Sequence, residues 1–276
     1  MSLFKKIGIV GIGLIGGSLG LAIKRYSVAK EVIGVSRSQN TLKEALRRKV
    51  VDIATKDLNI LKDADMVILA TPVETIKKLS PLVCKIIKKD SILTDVGSTK
   101  REIVLKLESL FNNYIGSHPL AGSQNRGVNF ADAEIFKNSL CILTPTKNTP
   151  SWVLLKTKKF WQAIGAKVDF LSPSLHDHIL AYTSHLPHLV AFTFCELLPS
   201  KYLKYCASSF KDMTRVALSS PQLWHDIFIS NRKEILSCLD KFKERILYLE
   251  NLLSQNKDKE ILIFLKKSQK KRKKLL

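Results

Sequence analysis

Along the first 170 residues, short, largely apolar runs alternate with longer stretches of helical periodicity. The runs at 7–10, 32–35, 66–70, 92–95, 114–116, 140–143 and 167–170 read as strands. The segments 15–25, 42–49, 73–88, 100–111 and 152–164 between them read as helices. Such alternation implies crossover connections and a mostly parallel sheet covered on both faces. Strands in that setting are apolar throughout, as Met66-Val67-Ile68-Leu69-Ala70 is.

The pattern changes after Phe170. Ser172-Pro173 is a helix start, a capping hydroxyl followed by Pro at the first helical position. From there onward only helical periodicity remains. Pro187 falls inside the first long helical run and should kink it. The later segments 222–238 and 239–256 read as amphipathic helices. The expected organisation is therefore an α/β part over residues 1–171 and an all-helical part over 172–276.

The first strand runs into Gly11-Ile12-Gly13-Leu14-Ile15-Gly16, which opens a helix. Gly11 permits a tight turn, Gly13 lets the backbone approach a pyrophosphate, and Gly16 lets helix and strand pack closely. The helix N-terminus then offers amides and a positive dipole to the phosphates. Dinucleotide binding follows, on a Rossmann-like sheet, with Leu14 and Ile15 in the binding loop. The same stretch resembles a signal peptide, because Lys5-Lys6 precedes an uncharged run. However, six of the chain's twelve glycines lie in it, a poor composition for a secretory helix. No other stretch approaches the roughly 20 apolar residues of a membrane span.

Nicotinamide preference is read at the end of the second strand. NAD-selective sites carry an acidic residue there for the ribose 2′-hydroxyl. This chain has Ser36-Arg37-Ser38 instead. Arg37 could pair with a 2′-phosphate, which favours NADP or dual use over NAD alone. It could also stack on adenine or point to solvent.

Charge adds a second question. The net charge is +21, and nine basic against two acidic residues follow from Lys257 onward. A basic run of this kind can serve nucleic acid or an acidic surface. No aromatic residues interleave with the final lysines for base stacking, so the simpler reading is a solvated, frayed tail. The five cysteines are scattered, with no CxxC pair, which indicates neither a disulfide framework nor a metal site. A reducing, cytoplasmic compartment is the simplest reading.

Several polar segments sit where strands end. Ala70-Thr71-Pro72 and Asp95-Val96-Gly97-Ser98-Thr99-Lys100 close two of them, where an open α/β sheet binds its ligand. Thr71 and Pro72 should border the nicotinamide. Gly116-Ser117-His118-Pro119 leaves a further strand in the same way. In the helical part, His185 and His188 are three apart on one face, and Arg215 offers a fixed cation. His176 and His178 are two apart, too poorly aligned to share a metal.

The ordered set GxGLIGGS, DVGSTK, SHPLAGS, HD, SHLPH, DMTRVA and SSPQLWHDI, from about Lys6 to Asn231, resembles the prephenate dehydrogenase family of tyrosine biosynthesis. The resemblance implies a Rossmann-like domain followed by an all-helical dimerisation domain, and hence a homodimer. It implies hydride transfer from prephenate to NAD or NADP with loss of CO2. His118 is then the base, a role that suits an imidazole near neutral pH. Ser98 contacts the substrate hydroxyl and His118, and Arg215 binds a substrate carboxylate. His188, and with it His185, lies near the substrate. Asp177 accompanies the arginine, and Trp224 shapes the pocket. Each has a plainer role available: Ser98 as a helix cap, His185 as a structural histidine, Arg215 as an ion-pair partner of Asp212 or Asp177, Trp224 as core.

One departure stands out. After SHPLAGS many relatives carry an acidic residue, and here it is Gln124. A network joining that carboxylate to Asp177 and Arg215 would be weakened. The chain is also expected to carry neither a regulatory domain after its helices nor a chorismate mutase segment before Lys5. Arogenate remains an alternative substrate. A non-catalytic dinucleotide- or nucleic-acid-binding protein remains an alternative of another class.

Overall fold

The computed structural model describes residues 2–122 and 125–275. It divides into two compact units, Met1–Asn231 and Arg232–Leu276. In the first, eight strands form one sheet: β1 (Phe4–Val10), β2 (Ala29–Val35), β3 (Ile53–Thr55), β4 (Met66–Leu69), β5 (Ile92–Asp95), β6 (Tyr114–Pro119), β7 (Leu140–Thr144) and β8 (Lys167–Phe170). Their order is β3-β2-β1-β4-β5-β6-β7-β8. Every neighbouring pair is parallel except β6 with β7. Seven of these strands stand where the apolar runs lie. The extra one, β3, is three residues long with a half-exposed face, too short and too mixed to register as a run.

Helices α1 (Leu14–Arg25), α2 (Gln39–Arg47), α3 (Val73–Ile86), α4 (Arg101–Glu108) and α5 (Ser151–Ala163) make the connections. All four β4 residues are buried. Met66 and Ile68 enter the core on one face, with Leu19 and Trp161, while Val67 and Leu69 enter the core on the other, with Val73 and Ile103. That two-sided burial is why the strand is apolar at every position. Strand order reverses between β1 and β4, so their carboxyl ends flank a crevice.

Helices α6 (Pro173–Leu180), α7 (Leu186–Leu197), α8 (Ser208–Thr214) and α9 (Pro221–Ser230) complete the unit. Two of them start alike: Ser172 Oγ accepts from Leu175 N–H and Ser220 Oγ from Leu223 N–H, each just before a Pro. The chain runs from α6 into α7 through a π-helical turn, Ala181–His185, just ahead of Pro187. The wider turn absorbs the hydrogen bond that Pro187 cannot donate.

The second unit pairs α10 (Arg232–Ser254) with α11 (Asp258–Lys273), where Tyr248 and Phe264 meet with ring centroids 6.2 Å apart. Two expectations change here. The break in the helical run falls at Asn231, not between Cys238 and Leu239. Asn231 is buried and its side chain donates to Asp177 O and pairs with His185 Nδ1. Periodicity has no view of that contact. The Lys-rich tail is a helix with exposed side chains, not a frayed coil. Among the described residues, no helix is long and apolar enough to cross a membrane.

Candidate active site

The glycine loop joins β1 to α1. Gly11 has φ +98°, and a Cβ on it would lie 2.7 Å from Ala70 O, so the turn at the ends of β1 and β4 requires glycine. A Cβ on Gly16 would lie 1.9 Å from Gly11 O, which makes it the point of closest approach between helix and strand. A Cβ on Gly13 would meet nothing within 4 Å, so its backbone faces open space.

That space is a groove of about 450 Å³ lined by Gly11, Gly13, Ser36, Arg37, Lys56, Thr71 and Pro72, among others. It adjoins a cleft of about 520 Å³ that shares Gly13, Ala70, Thr71, Pro72 and Gly127, and adds Leu14, Ile15, Ser98, Arg126, Ser219 and Gln222. The charged lining residues of both are Arg37, Lys56 and Arg126, with no carboxylate. A polyanion fits such walls. Thr71 Oγ1 is buried without a protein partner where the two spaces meet, a polar atom left for a ligand.

The loop after β5 folds around its own carboxylate. Asp95 accepts from Gly97 N–H at 2.8 Å and Tyr114 Oη–H at 2.7 Å, and pairs with the fully buried Lys100 ammonium. Thr99 Oγ1 meets Ser230 Oγ at 3.0 Å. So held, the loop presents Ser98 to the cleft. Ser98 is not the cap of α4. The N–H groups of Lys100 and Arg101 donate instead to the two oxygens of Asp177, at 2.7 and 2.9 Å. A carboxylate at a helix N-terminus gains from both bonds and dipole.

Asp177 is itself buried, with both oxygens engaged by these N–H groups, whereas Arg215 is exposed. Asp177 Oδ1 also meets His176 Nδ1 at 2.8 Å, and His176 Nε2 meets His118 Nδ1 at 2.8 Å. His118 is the next-to-last residue of β6, its Nδ1 is taken up by His176, and 9% of the residue reaches solvent. Burial pushes the His118 imidazole well below its usual value, and the charges of His176, Lys100 and His185 add to this. The neutral ring is thereby favoured, the form in which an imidazole serves as a general base.

His185 lies in the same buried cluster. Burial lowers its pKa to about 4. His188 stacks on the buried Trp224 with centroids 3.6 Å apart, and burial lowers its pKa too, with Arg215 contributing. His185 also meets Trp224, edge to face with ring centroids 6.1 Å apart. Trp224 therefore holds imidazoles in place from within the core. Gln124 lies outside the described residues.

A family model described as prephenate dehydrogenase, nucleotide-binding domain, matches residues 19–170. Another, prephenate dehydrogenase, dimerization domain, matches 172–267. The chain belongs to the prephenate dehydrogenase family. It is 34% identical to a cyclohexadienyl dehydrogenase of Zymomonas mobilis, over 99% of this chain and 96% of that one. It is also 34% identical to a prephenate dehydrogenase of Bacillus subtilis, over 94% of this chain and 72% of the other. Among solved structures, the prephenate dehydrogenase of Aquifex aeolicus in complex with hydroxyphenyl propionate and NAD+ superposes with a TM-score of 0.94, at 30% identity, covering 99% and 98%. Synechocystis arogenate dehydrogenase superposes with a TM-score of 0.86, also at 30% identity, covering 98% and 100%.

As a prephenate dehydrogenase family member, the protein is a NAD-dependent oxidoreductase. The groove and its glycine loop fit the dinucleotide on their own geometry, which matters because the first matched span starts only at Leu19. Four residues at this site were not anticipated from sequence. Lys56 reaches the groove just after the overlooked β3, and Arg126 lines the adjoining cleft from a loop. His176 and Asn231 act through buried contacts that no spacing rule reveals.

The depressed imidazoles carry a consequence for stability. His185 has a folded pKa of about 4 against 6.5 unfolded, so between those values the unfolded chain binds more protons. Its contribution is complete above pH 6.5 and is lost as the pH falls towards 4. Some 2.5 units amount to about 3 kcal/mol. Urea unfolding should show the wild type losing about that much more than a His185→Gln variant over this range. Equal losses would contradict the assignment.

Proposed function

We propose that the protein converts prephenate to 4-hydroxyphenylpyruvate and CO2, a step of tyrosine biosynthesis, with NADP preferred over NAD. The observation that carries this reading is a groove whose charged lining is entirely cationic, joined to a cleft that Ser98 lines, with the His118 imidazole kept neutral by burial near the carboxyl end of β6, whose outgoing loop lines that cleft through Ala121 and Gly122. Residues 1–171 form the dinucleotide-binding part and 172–276 the helical part that builds a homodimer; the adjoining spans of the two family models support this division.

Gly11, Gly13 and the N-terminus of α1 hold the pyrophosphate. Arg37, helped by Ser36 and Lys56, takes the 2′-phosphate. Thr71, Pro72, Leu14 and Ile15 flank the nicotinamide. Bound there, the dinucleotide supplies the hydride acceptor for the ring carbon that bears the substrate hydroxyl. Ser98 hydrogen-bonds that hydroxyl, and His118 Nε2 takes its proton as the carbonyl develops. Loss of CO2 then makes the ring aromatic, and the oxygen recovers its proton from His118 as a phenol. The proton balance closes at one nitrogen, so a base with little solvent access suffices. Arg215 pairs with a substrate carboxylate, beside His188. Arg126 offers the cleft a second cation.

The test is a matrix of prephenate and arogenate against NAD and NADP, read by the absorbance of the reduced nicotinamide. Prephenate with NADP should turn over fastest. No turnover in any arm would overturn the proposal, and arogenate-selective turnover would move the substrate to the second reading, which similarity to the Synechocystis enzyme supports. Arg37→Ser should lower kcat/KM for NADP about 10- to 100-fold, the value of a hydrogen bond to a charged group, and leave NAD unchanged. Equal effects on both cofactors would remove the stated role of Arg37.

A further inference from the structure

The hydrogen bonds from Asp177 through His176 to His118 have a direction that the donors and acceptors settle. Both Asp177 oxygens accept backbone N–H groups at the start of α4, so towards His176 this carboxylate is an acceptor as well. His176 Nδ1 must then carry a hydrogen. Burial keeps His176 neutral, so its Nε2 is bare and accepts. His118 Nδ1, 2.8 Å away, must be the donor. A neutral His118 that donates from Nδ1 has a bare Nε2, the nitrogen a base needs.

We infer that His176 and Asp177 are positioning residues that fix the tautomer and ring orientation of His118. The inference rests on the reading of His118 as the base. It also explains why a carboxylate is buried against an imidazole that is itself fully buried. Asp177 is anchored by two amides, and Asn231 donates to its carbonyl, so the end of the relay is rigid. The rigidity passes through one ring to the next. The relay needs no exit for a proton, because His118 returns the proton it takes.

Two measurements test this. In His176→Phe the acceptor for His118 Nδ1–H is gone, and kcat should fall about 10- to 100-fold with KM for both substrates little changed. In His176→Gln the side-chain oxygen can accept in place of Nε2, and most of that loss should be restored. A packing role alone would give no such rescue. The second measurement needs no relay variant to fold: nitrogen-15 NMR of histidine-labelled wild type at neutral pH, with His118 assigned through His118→Asn. The Nδ1–H tautomer is expected. The Nε2–H tautomer, or a fully active His176→Phe, would overturn the inference. An inactive His118→Asn beside an active His176→Phe would sink the relay alone; an active His118→Asn would sink the reading of the base.

Discussion

Replacing His118 with Asn is expected to lower kcat by about 10²- to 10⁴-fold, the usual contribution of a positioned base. Dinucleotide affinity should be unchanged, because the groove that holds the cofactor does not include His118. The accompanying pH profile has a definite sign. The base works as the neutral ring, so activity is held above the His118 pKa and lost below it. Burial, with His176, Lys100 and His185 facing the ring, places that pKa well under 6.5. Wild-type kcat/KM should therefore stay level as the pH falls through 6.5 and decline only at more acid values. Steady-state kinetics with saturating cofactor, alongside a binding titration, check both parts. A variant with unchanged kcat would remove His118 from the chemistry.

The glycine loop gives the second large effect, as a contrast between neighbours. In Gly16→Ala the new methyl would lie 1.9 Å from Gly11 O, a backbone atom that cannot step aside. Helix α1 must move off β1, which should cost about 1–3 kcal/mol of stability and displace the amides aimed at the pyrophosphate. In Gly13→Ala the methyl meets no protein atom within 4 Å, and φ is −84°, an ordinary value for alanine. That variant should unfold like the wild type yet bind the dinucleotide far more weakly, because the methyl occupies the approach of the phosphates. Denaturant unfolding and cofactor titration separate the two. If Gly13→Ala bound cofactor normally, the pyrophosphate would not sit where the loop implies.

These contrasts show what kinds of information a sequence carries. β4 was legible because burial on both faces forces every position to be apolar. The glycine loop was legible because each glycine answers a local steric demand. β3 was not, since one exposed and two half-buried residues at a sheet edge leave no pattern. Asp177 was singled out by the family resemblance, but its hydrogen-bond partners were not legible: folding puts it on the amides of Lys100 and Arg101, 77 and 76 residues away. His176 was weighed as a metal ligand beside His178, and set aside on helical spacing. Its actual partner lies on β6, reached across 58 residues, and no periodicity encodes such a pairing. The break at Asn231 has the same origin, a buried side chain serving two distant groups.

The most direct test is a crystal structure with NAD+ and a 4-hydroxyphenyl ligand bound together. The phenol oxygen should lie about 2.6–3.2 Å from His118 Nε2 and within reach of Ser98. A phenol oxygen bound away from His118, with the imidazole facing protein on both edges, would contradict the proposed chemistry.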